Sequence, residues 1–367
     1  MGYFNRKFMM IDNTSDATFR TWGKAISDEI AAMGWVQQND TGQPVWAQTT
    51  FNVTNITRSG GNNIVTYSGL AGPALRIGMS VTLAGCTTGA NNGTFTITAL
   101  AGSTFTVVNG SGVTEAETAT GSNTLSTRPS ANWLYEVWAM ADALQTGATQ
   151  IFFVIGYGSV SGTTSPSLKV GICTATNGAG VLAGFNSTLI GLPNNSLGNT
   201  TTPTLCYFCG DTNRLAMSLS AVSRSVEFGV ERTKASDGSD SSVGVAILTN
   251  IGSGSQNGED YLATVVFGVG TAQYGNAPPS SQAPNLLGTD DGTSFIFDNK
   301  IPLSPIFPVY GKFGYPMTIF CVYPKNDIPS LVVFEVVVYG VTRLYVSGQG
   351  SSFSGASTAP NLAMRYD

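Results

Sequence analysis

Residues 51–57 read FNVTNIT, and four similar runs follow: NNIVTYSG (62–69), MSVTLAG (79–85), GTFTITAL (93–100) and STFTVVNG (103–110). In each run apolar residues alternate with Thr, Ser or Asn, and Gly or Asn stands between runs. Alternation gives one strand face to a core and the other to water, while Gly and Asn supply the positive φ of tight turns. The stretch from 50 to 127 therefore reads as a small all-β domain of about five strands.

The tryptophans mark its limits. Trp22, Trp35 and Trp46 precede it, and Trp133 and Trp138 follow it. This distribution places the β stretch as an insertion. Residues 1–49 then form an N-terminal arm and the first helix of the main domain, 50–127 the inserted domain, and 128–367 a second helix and the β-rich remainder. Residues 1–14 read as an arm that orders against a neighbour.

Helical spacing appears on both sides of the insertion. Phe19, Trp22, Ile26, Ile30 and Met33 recur at three- and four-residue steps, with Ser15 or Asp16 to cap and Gly34 to end the helix. The same spacing at Leu134, Val137, Trp138, Ala141 and Leu144, after Pro129 and before Gly147, predicts a second helix.

From residue 150 onward strand patterns dominate. Met217, Leu219 and Ala221 alternate with Ser218 and Ser220; Val226, Phe228 and Val230 alternate with Glu227, Gly229 and Glu231. These read as half-solvated antiparallel strands joined in a hairpin. LVVFEVVVYG (331–340) is nearly all apolar and reads as a central strand. Residues 191–204, 233–242 and 271–293 read as loops. The fold class is mainly β with two amphipathic helices (α+β), an antiparallel β-sandwich or jelly-roll-like main domain carrying the small β insertion.

Composition narrows the function. Among 367 residues there is no histidine, charged residues make up 11%, and the net charge is −5. Without histidine there is no Ser-His-Asp arrangement and no imidazole base. Scattered basic residues argue against nucleic acid as a partner, and no apolar run is long enough for membrane insertion. The N-terminal MGYFNRKFMMIDNTSD reads as carrying no export signal. A neutral Ser/Thr/Gly exterior suggests a surface covered by other subunits.

Few residues offer chemistry. Cys206 and Cys209 have C-x-x-C spacing, yet the cysteines Cys86, Cys173, Cys206, Cys209 and Cys321 read as buried strand residues, with no metal and no cofactor expected. Asp290 with Asp291, and Asp237 with Asp240, are the carboxylate pairs a glycosidase or calcium site would need, but they sit in loops where Asp commonly caps turns. Trp35, Trp46, Tyr310, Phe313 and Tyr315 form a candidate interaction surface, by sugar stacking or at a subunit interface; core packing is the alternative for each.

Two segments carry a resemblance. FRTWGKAISDEIAAMGWVQQNDTGQPVWA (19–47), resumed by NWLYEVWAMADALQTGATQIFFVIGYG (132–158) and SPSLKVGICTATNGAG (165–180), resembles structural proteins encoded among the tail genes of tailed bacteriophages. In those proteins a helix ending in Gly-Trp leads to an Asp-Thr-Gly-Gln turn, and a helix of the Tyr-Glu-x-Trp type runs into a strand ending in Gly-Tyr-Gly. The closing NLAMRYD looks like their terminal strand. Within the insertion, LRIGMSVTLAGCTTGANNGTFTITALAGSTFTVVN (75–109) is similar to small β modules of phage virion proteins.

The resemblance implies a virion component without enzymatic activity, most simply a tail, baseplate or fibre-associated protein whose partners are other virion proteins. It implies a homo-oligomer, trimers being common in such parts. A capsid decoration protein is one alternative. A receptor- or glycan-binding spike, with a host surface glycan as partner, is another.

Overall fold

The computed structural model describes residues 2–38, 44–70, 75–125, 134–159, 163–173, 175–176, 182–183, 190–191, 197–220, 224–234, 240–252, 261–266, 273–277, 304–305, 320–323, 333–338, 341–347 and 361–365. Strand β1 (Tyr3–Met9) is followed by the buried turn Ile11–Asn13 and helix α1 (Asp16–Ala32). The Ser15 hydroxyl accepts from the Thr18 amide and Thr18 Oγ1 accepts from the Ser15 amide, a reciprocal capping box. Phe19, Trp22, Ile26 and Ile30 are buried along one face, and Gly34 reverses the chain at φ 98°. The first helix lies where the spacing predicts it. Strand β2 (Val36–Gln37) follows.

Next come β3 (Thr50–Ser59), β4 (Asn62–Ser68), β5 (Ser80–Ala84), β6 (Gly93–Ala101), β7 (Thr104–Val108) and β8 (Glu115–Thr124). They close a barrel in the order β3-β4-β7-β6-β5-β8, six strands rather than about five. Phe51, Val53, Ile56, Val65, Val81, Leu83, Ile97, Phe105 and Val107 fill its interior. Gly121 has no room for a side chain, because a Cβ there would lie 2.1 Å from the Phe51 ring. Outside, hydroxyls line up across strands: Thr82 Oγ1 lies 2.9 Å from Thr94 Oγ1 and 3.1 Å from Thr124 Oγ1. RIGM leads into β5 and NNGTF opens into β6.

Strands β9 (Leu134–Ala139), β10 (Phe152–Ser159) and β11 (Pro166–Cys173) continue the chain, followed by a small hairpin of β12 (Ala175–Thr176) and β13 (Leu182–Ala183) and by β14 (Ile190–Gly191). A five-stranded antiparallel sheet runs β14-β11-β10-β9-β2. The second helix is therefore corrected. Residues 134–139 are a strand, and α1 is the one α-helix among the described residues. Leu134, Val137 and Trp138 are all buried because β9 is covered on both faces, so apolar positions on opposite faces imitate helical spacing. Pro129 lies outside the described residues; Ala141 is exposed, and Gly147 begins a single 3-10 turn.

A seven-stranded antiparallel sheet has the order β1-β15-β16-β17-β18-β19-β20. Its further strands are β15 (Thr204–Asp211), β16 (Arg214–Ser220), β17 (Arg224–Lys234), β18 (Asp240–Gly252), β19 (Tyr261–Val266) and β20 (Gln273–Ala277). The arm expected at the N-terminus is instead an edge strand of this sheet, with Tyr3 opposite Gly210 and Met9 opposite Thr204. Strands β16 and β17 pair as read, Met217 opposite Phe228. Their second face is not half-solvated, since Ser218 and Glu231 are buried with the rest. Parts of the three expected loops are strand: Lys234 and Asp240 pair across β17 and β18, and 273–277 form β20.

The last five strands are β21 (Ser304–Pro305), β22 (Phe320–Tyr323), β23 (Val333–Val338), β24 (Val341–Ser347) and β25 (Asn361–Arg365), in the order β21-β22-β25-β24-β23. Within LVVFEVVVYG, β23 sits at the sheet's edge with Val333 and Glu335 exposed, which corrects the central placement. The closing NLAMR is strand β25, as expected.

The seven-stranded sheet and the sheet β14-β11-β10-β9-β2 meet at aromatic contacts. Phe153 of β10 stacks on Phe228 of β17 at 6.1 Å, and Trp35 meets Phe153 edge-on at 6.0 Å. Among the described residues the fold is mainly β: one helix, one closed barrel and antiparallel sheets.

Candidate functional site

Strand pairing on β9 and β10 puts Leu134, Glu136 and Trp138 on one face, opposite Tyr157, Ile155 and Phe153. That face meets α1, so a carboxylate enters an otherwise apolar layer. Glu136 has no solvent exposure. Its Oε1 accepts from Ser27 Oγ at 2.8 Å, Trp46 Nε1 at 2.8 Å and Gln37 Nε2 at 3.0 Å; its Oε2 accepts from Tyr157 OH at 2.8 Å. Around it Trp46 and Tyr157 meet edge to face at 4.9 Å, and Phe19 and Trp22 complete the aromatic cluster.

Burial pushes the Glu136 carboxyl above the ordinary glutamate range, and the hydrogen bonds from Trp46, Ser27 and Tyr157 offset only part of that. The Trp138 indole dipole acts in the same stabilising sense, although its N–H makes no hydrogen bond of ordinary geometry. The Tyr157 hydroxyl is pushed well above the usual tyrosine range, by burial first and then by the Glu136 charge. A carboxylate so enclosed meets no solute. What it does is fix α1, β2, the segment entering the barrel, β9 and β10 in one arrangement.

A second polar centre lies between helix and barrel. Arg20 is buried on α1, and its Nη1 donates to the carbonyls of Val45 (2.8 Å) and Trp46 (3.2 Å) while Nη2 donates to that of Asn123 (2.8 Å). Its Nε donates to Asp16 at 2.7 Å, and Asp16 also accepts from the Leu125 amide. Asn123 bridges the two chain crossings: Oδ1 accepts from the Thr49 amide at 2.7 Å and Nδ2 donates to the Ala47 carbonyl at 3.1 Å. The chain thus enters and leaves the barrel through adjacent, mutually bonded segments held by one guanidinium.

Two further buried carboxylates are satisfied in the same way. Glu29 accepts from Tyr3 OH (2.7 Å) and Asn5 Nδ2 (2.9 Å) and pairs with Lys7 (3.4 Å), three alternate residues of β1 gripping one helix side chain. Burial, then the Glu29 hydrogen bond, pushes the Tyr3 hydroxyl up to about 12. Asp142 takes a two-pronged pair from Arg232, 2.6 Å to Nε and 3.1 Å to Nη2, and Arg232 Nη1 donates to the Thr149 carbonyl.

Trp35 and Trp46, two of the candidate surface residues, are 3% and 9% exposed. Trp35 donates to the Asp211 carbonyl and Trp46 to Glu136, so both take the core-packing alternative: each indole has its polar partner inside. Tyr310, Phe313 and Tyr315 lie outside the described residues, as do Asp237, Asp290 and Asp291; Asp240 opens β18. Cys206 and Cys209 are buried on opposite faces of β15, so their side chains do not meet as a C-x-x-C redox pair. Among the described residues no three His, Cys, Asp or Glu side chains gather as metal ligands.

Glu136, Arg20, Asn123 and Arg232 are the residues that sequence reading misses. For Glu136 and Arg232 one signal was present: each is a charged group beside valine and aromatic residues, in LYEVWAM and SVEFGVERT, of a chain that uses charge sparingly; Arg20 and Asn123 stand in no such stretch. Comparison with family models, with curated proteins and with solved structures returns no match.

Proposed function

We propose that this chain is a structural component of a tailed-bacteriophage particle, tail-associated, acting through protein–protein assembly and not catalysis. One observation carries the reading. The stretches 19–47 and 132–158, whose residues resemble phage tail proteins, are separated in sequence by the barrel and meet at Glu136. Ser27, Gln37 and Trp46 of the first bind that carboxylate from the second.

The physics of the surface supports the same reading. The buried carboxylates Glu29, Glu136 and Asp142 are each held by the chain's own donors. From residue 50 to 124 the ionisable Lys, Arg, Asp and Glu are Arg58, Arg76, Glu115 and Glu117 alone. Covering a hydroxyl-rich exterior with a neighbour costs far less desolvation than covering charges. On this reading the sheets that meet at Phe153 and Phe228 form a β-sandwich, the barrel is an inserted domain, and the protein is a homo-oligomer, a trimer in the simplest case.

Electron microscopy of particles carrying a tagged copy tests the proposal. Label at the tail is expected, label over the capsid shell transfers the chain to a decoration role, and unlabelled particles overturn a virion role. Oligosaccharide release from host polysaccharide by the purified chain would overturn the non-catalytic part.

A further inference from the structure

We propose that β1 is a docking edge, taking an extended segment of a neighbouring protein whose acidic side chain pairs with Arg6 and whose apolar side chain covers Phe8. The proposal rests on the assembly reading above and names its contact. Strand β1 ends the seven-stranded sheet: β15 pairs along one flank, and no described strand pairs along the other. Such an edge presents a row of backbone donors and acceptors to an incoming strand.

The side chains sort by face. Tyr3, Asn5 and Lys7 turn toward α1 and grip Glu29, which leaves Arg6 and Phe8 on the opposite face. Phe8 is 70% exposed, and Leu205 lies opposite it on β15, half-buried. Arg6 is exposed and, among the described residues, makes no hydrogen bond or ion pair, its charge acting only on the Tyr207 hydroxyl opposite it. It stands apart in this. Among the lysines and arginines whose side chains are described, Lys7, Arg20, Lys24, Arg58, Arg214 and Arg232 hold carboxylates or carbonyls, and Arg76 and Lys169 also have partners.

Charge then selects the occupant. Adjacent Arg6 and Lys7 set cation against cation if β1 pairs with a second β1, which disfavours that arrangement. A carboxylate facing Arg6 gains a charge-assisted, two-pronged hydrogen bond, and an apolar residue two positions away lies over Phe8. An edge cation also serves merely to repel stray strands. That simpler role gives no preference for an acidic partner.

The test uses the full chain and two synthetic peptides, Thr-Val-Thr-Glu-Thr-Val-Thr and its Lys-for-Glu analogue. The acidic peptide is expected to bind and to slow amide exchange at residues 3–9. Arg6→Glu should weaken it by about tenfold or more and favour the lysine peptide. Arg6 is exposed and its charge meets only the Tyr207 hydroxyl across from it on β15, so the variant should fold, and Arg6→Gln supplies a neutral control whose affinity should fall between the two. No binding at millimolar peptide, equal binding of both peptides, or no change in Arg6→Glu each overturns the proposal. These outcomes leave the particle localisation untouched, so the two readings fail separately.

Discussion

The indole N–H of Trp46 donates to the Glu136 carboxylate at 2.8 Å, joining the segment that enters the barrel to strand β9. Neighbouring donors come from α1, β2 and β10. A lone acid inside an apolar layer disfavours its own charge, so its place depends on those donors.

Stability should respond to pH through Glu136. Its folded-state pKa is raised above the unfolded value near 4.5, so the native state binds the proton more tightly. That contribution is fully present below the unfolded value and is lost as pH rises through the folded one. Glu136→Gln keeps an acceptor for the three donors on Oε1, and should stay within about 1 kcal/mol of the parent in acid while flattening the pH dependence. Glu136→Leu strands the three buried donors of Ser27, Trp46 and Tyr157, Gln37 being exposed, and should lose about 3 kcal/mol or more. Urea unfolding from pH 4 to 8 measures both; a parental slope in Glu136→Gln would remove Glu136 as its source.

Gly23 gives a prediction whose sign depends on one ring. In a solvent-facing helix Gly→Ala gains about 1 kcal/mol. Here a Cβ would lie 2.2 Å from the Trp46 ring, which packs directly on the Gly23 backbone. Gly23→Ala should therefore destabilise, by about 1–3 kcal/mol, and shift the tryptophan emission. Thermal unfolding with fluorescence decides it, and a gain in stability would mean that Trp46 moves aside freely.

Helix α1 and the barrel are legible in sequence because both are local patterns: a capped stripe from Phe19 to Ile30, and alternation around Val53, Val65, Val81 and Val107. Residues 134–138 are misread because periodicity reports which positions are apolar, not how many faces are covered. Of the Glu136 centre only the lone charge in LYEVWAM stands out in sequence, not its assembly. Its donors lie at positions 27, 37, 46 and 157, and only the folded chain brings them together. Arg20 misleads similarly, since an arginine one turn from a helix start normally reads as a solvated cation.

Arg232 and Asp142 form a buried pair that ties the turn between β9 and β10 to β17. Removing either partner leaves the other charge buried without its counter-ion. Arg232→Met and Asp142→Leu should each cost about 3–5 kcal/mol, and the double variant should cost much less than their sum. A double-mutant cycle in urea measures the coupling. Additive losses would show that the two side chains act independently.

Arg20 should decide whether barrel and sheets unfold together. Its guanidinium reaches Val45, Trp46 and Asn123 carbonyls at once while pairing with Asp16. A lysine keeps the charge but lacks the planar fork, so it cannot serve three carbonyls and Asp16 in the same geometry. Arg20→Lys should lose about 2–4 kcal/mol, with faster amide exchange first at Thr49 and Asn123, whose backbones bond each other across the neck. Because the barrel keeps its own interior around Phe51 and Phe105, calorimetry of the variant should resolve two transitions where the parent shows one. One unchanged transition with unchanged neck exchange would mean that Asn123, bonded to Thr49 and Ala47, holds the junction without Arg20.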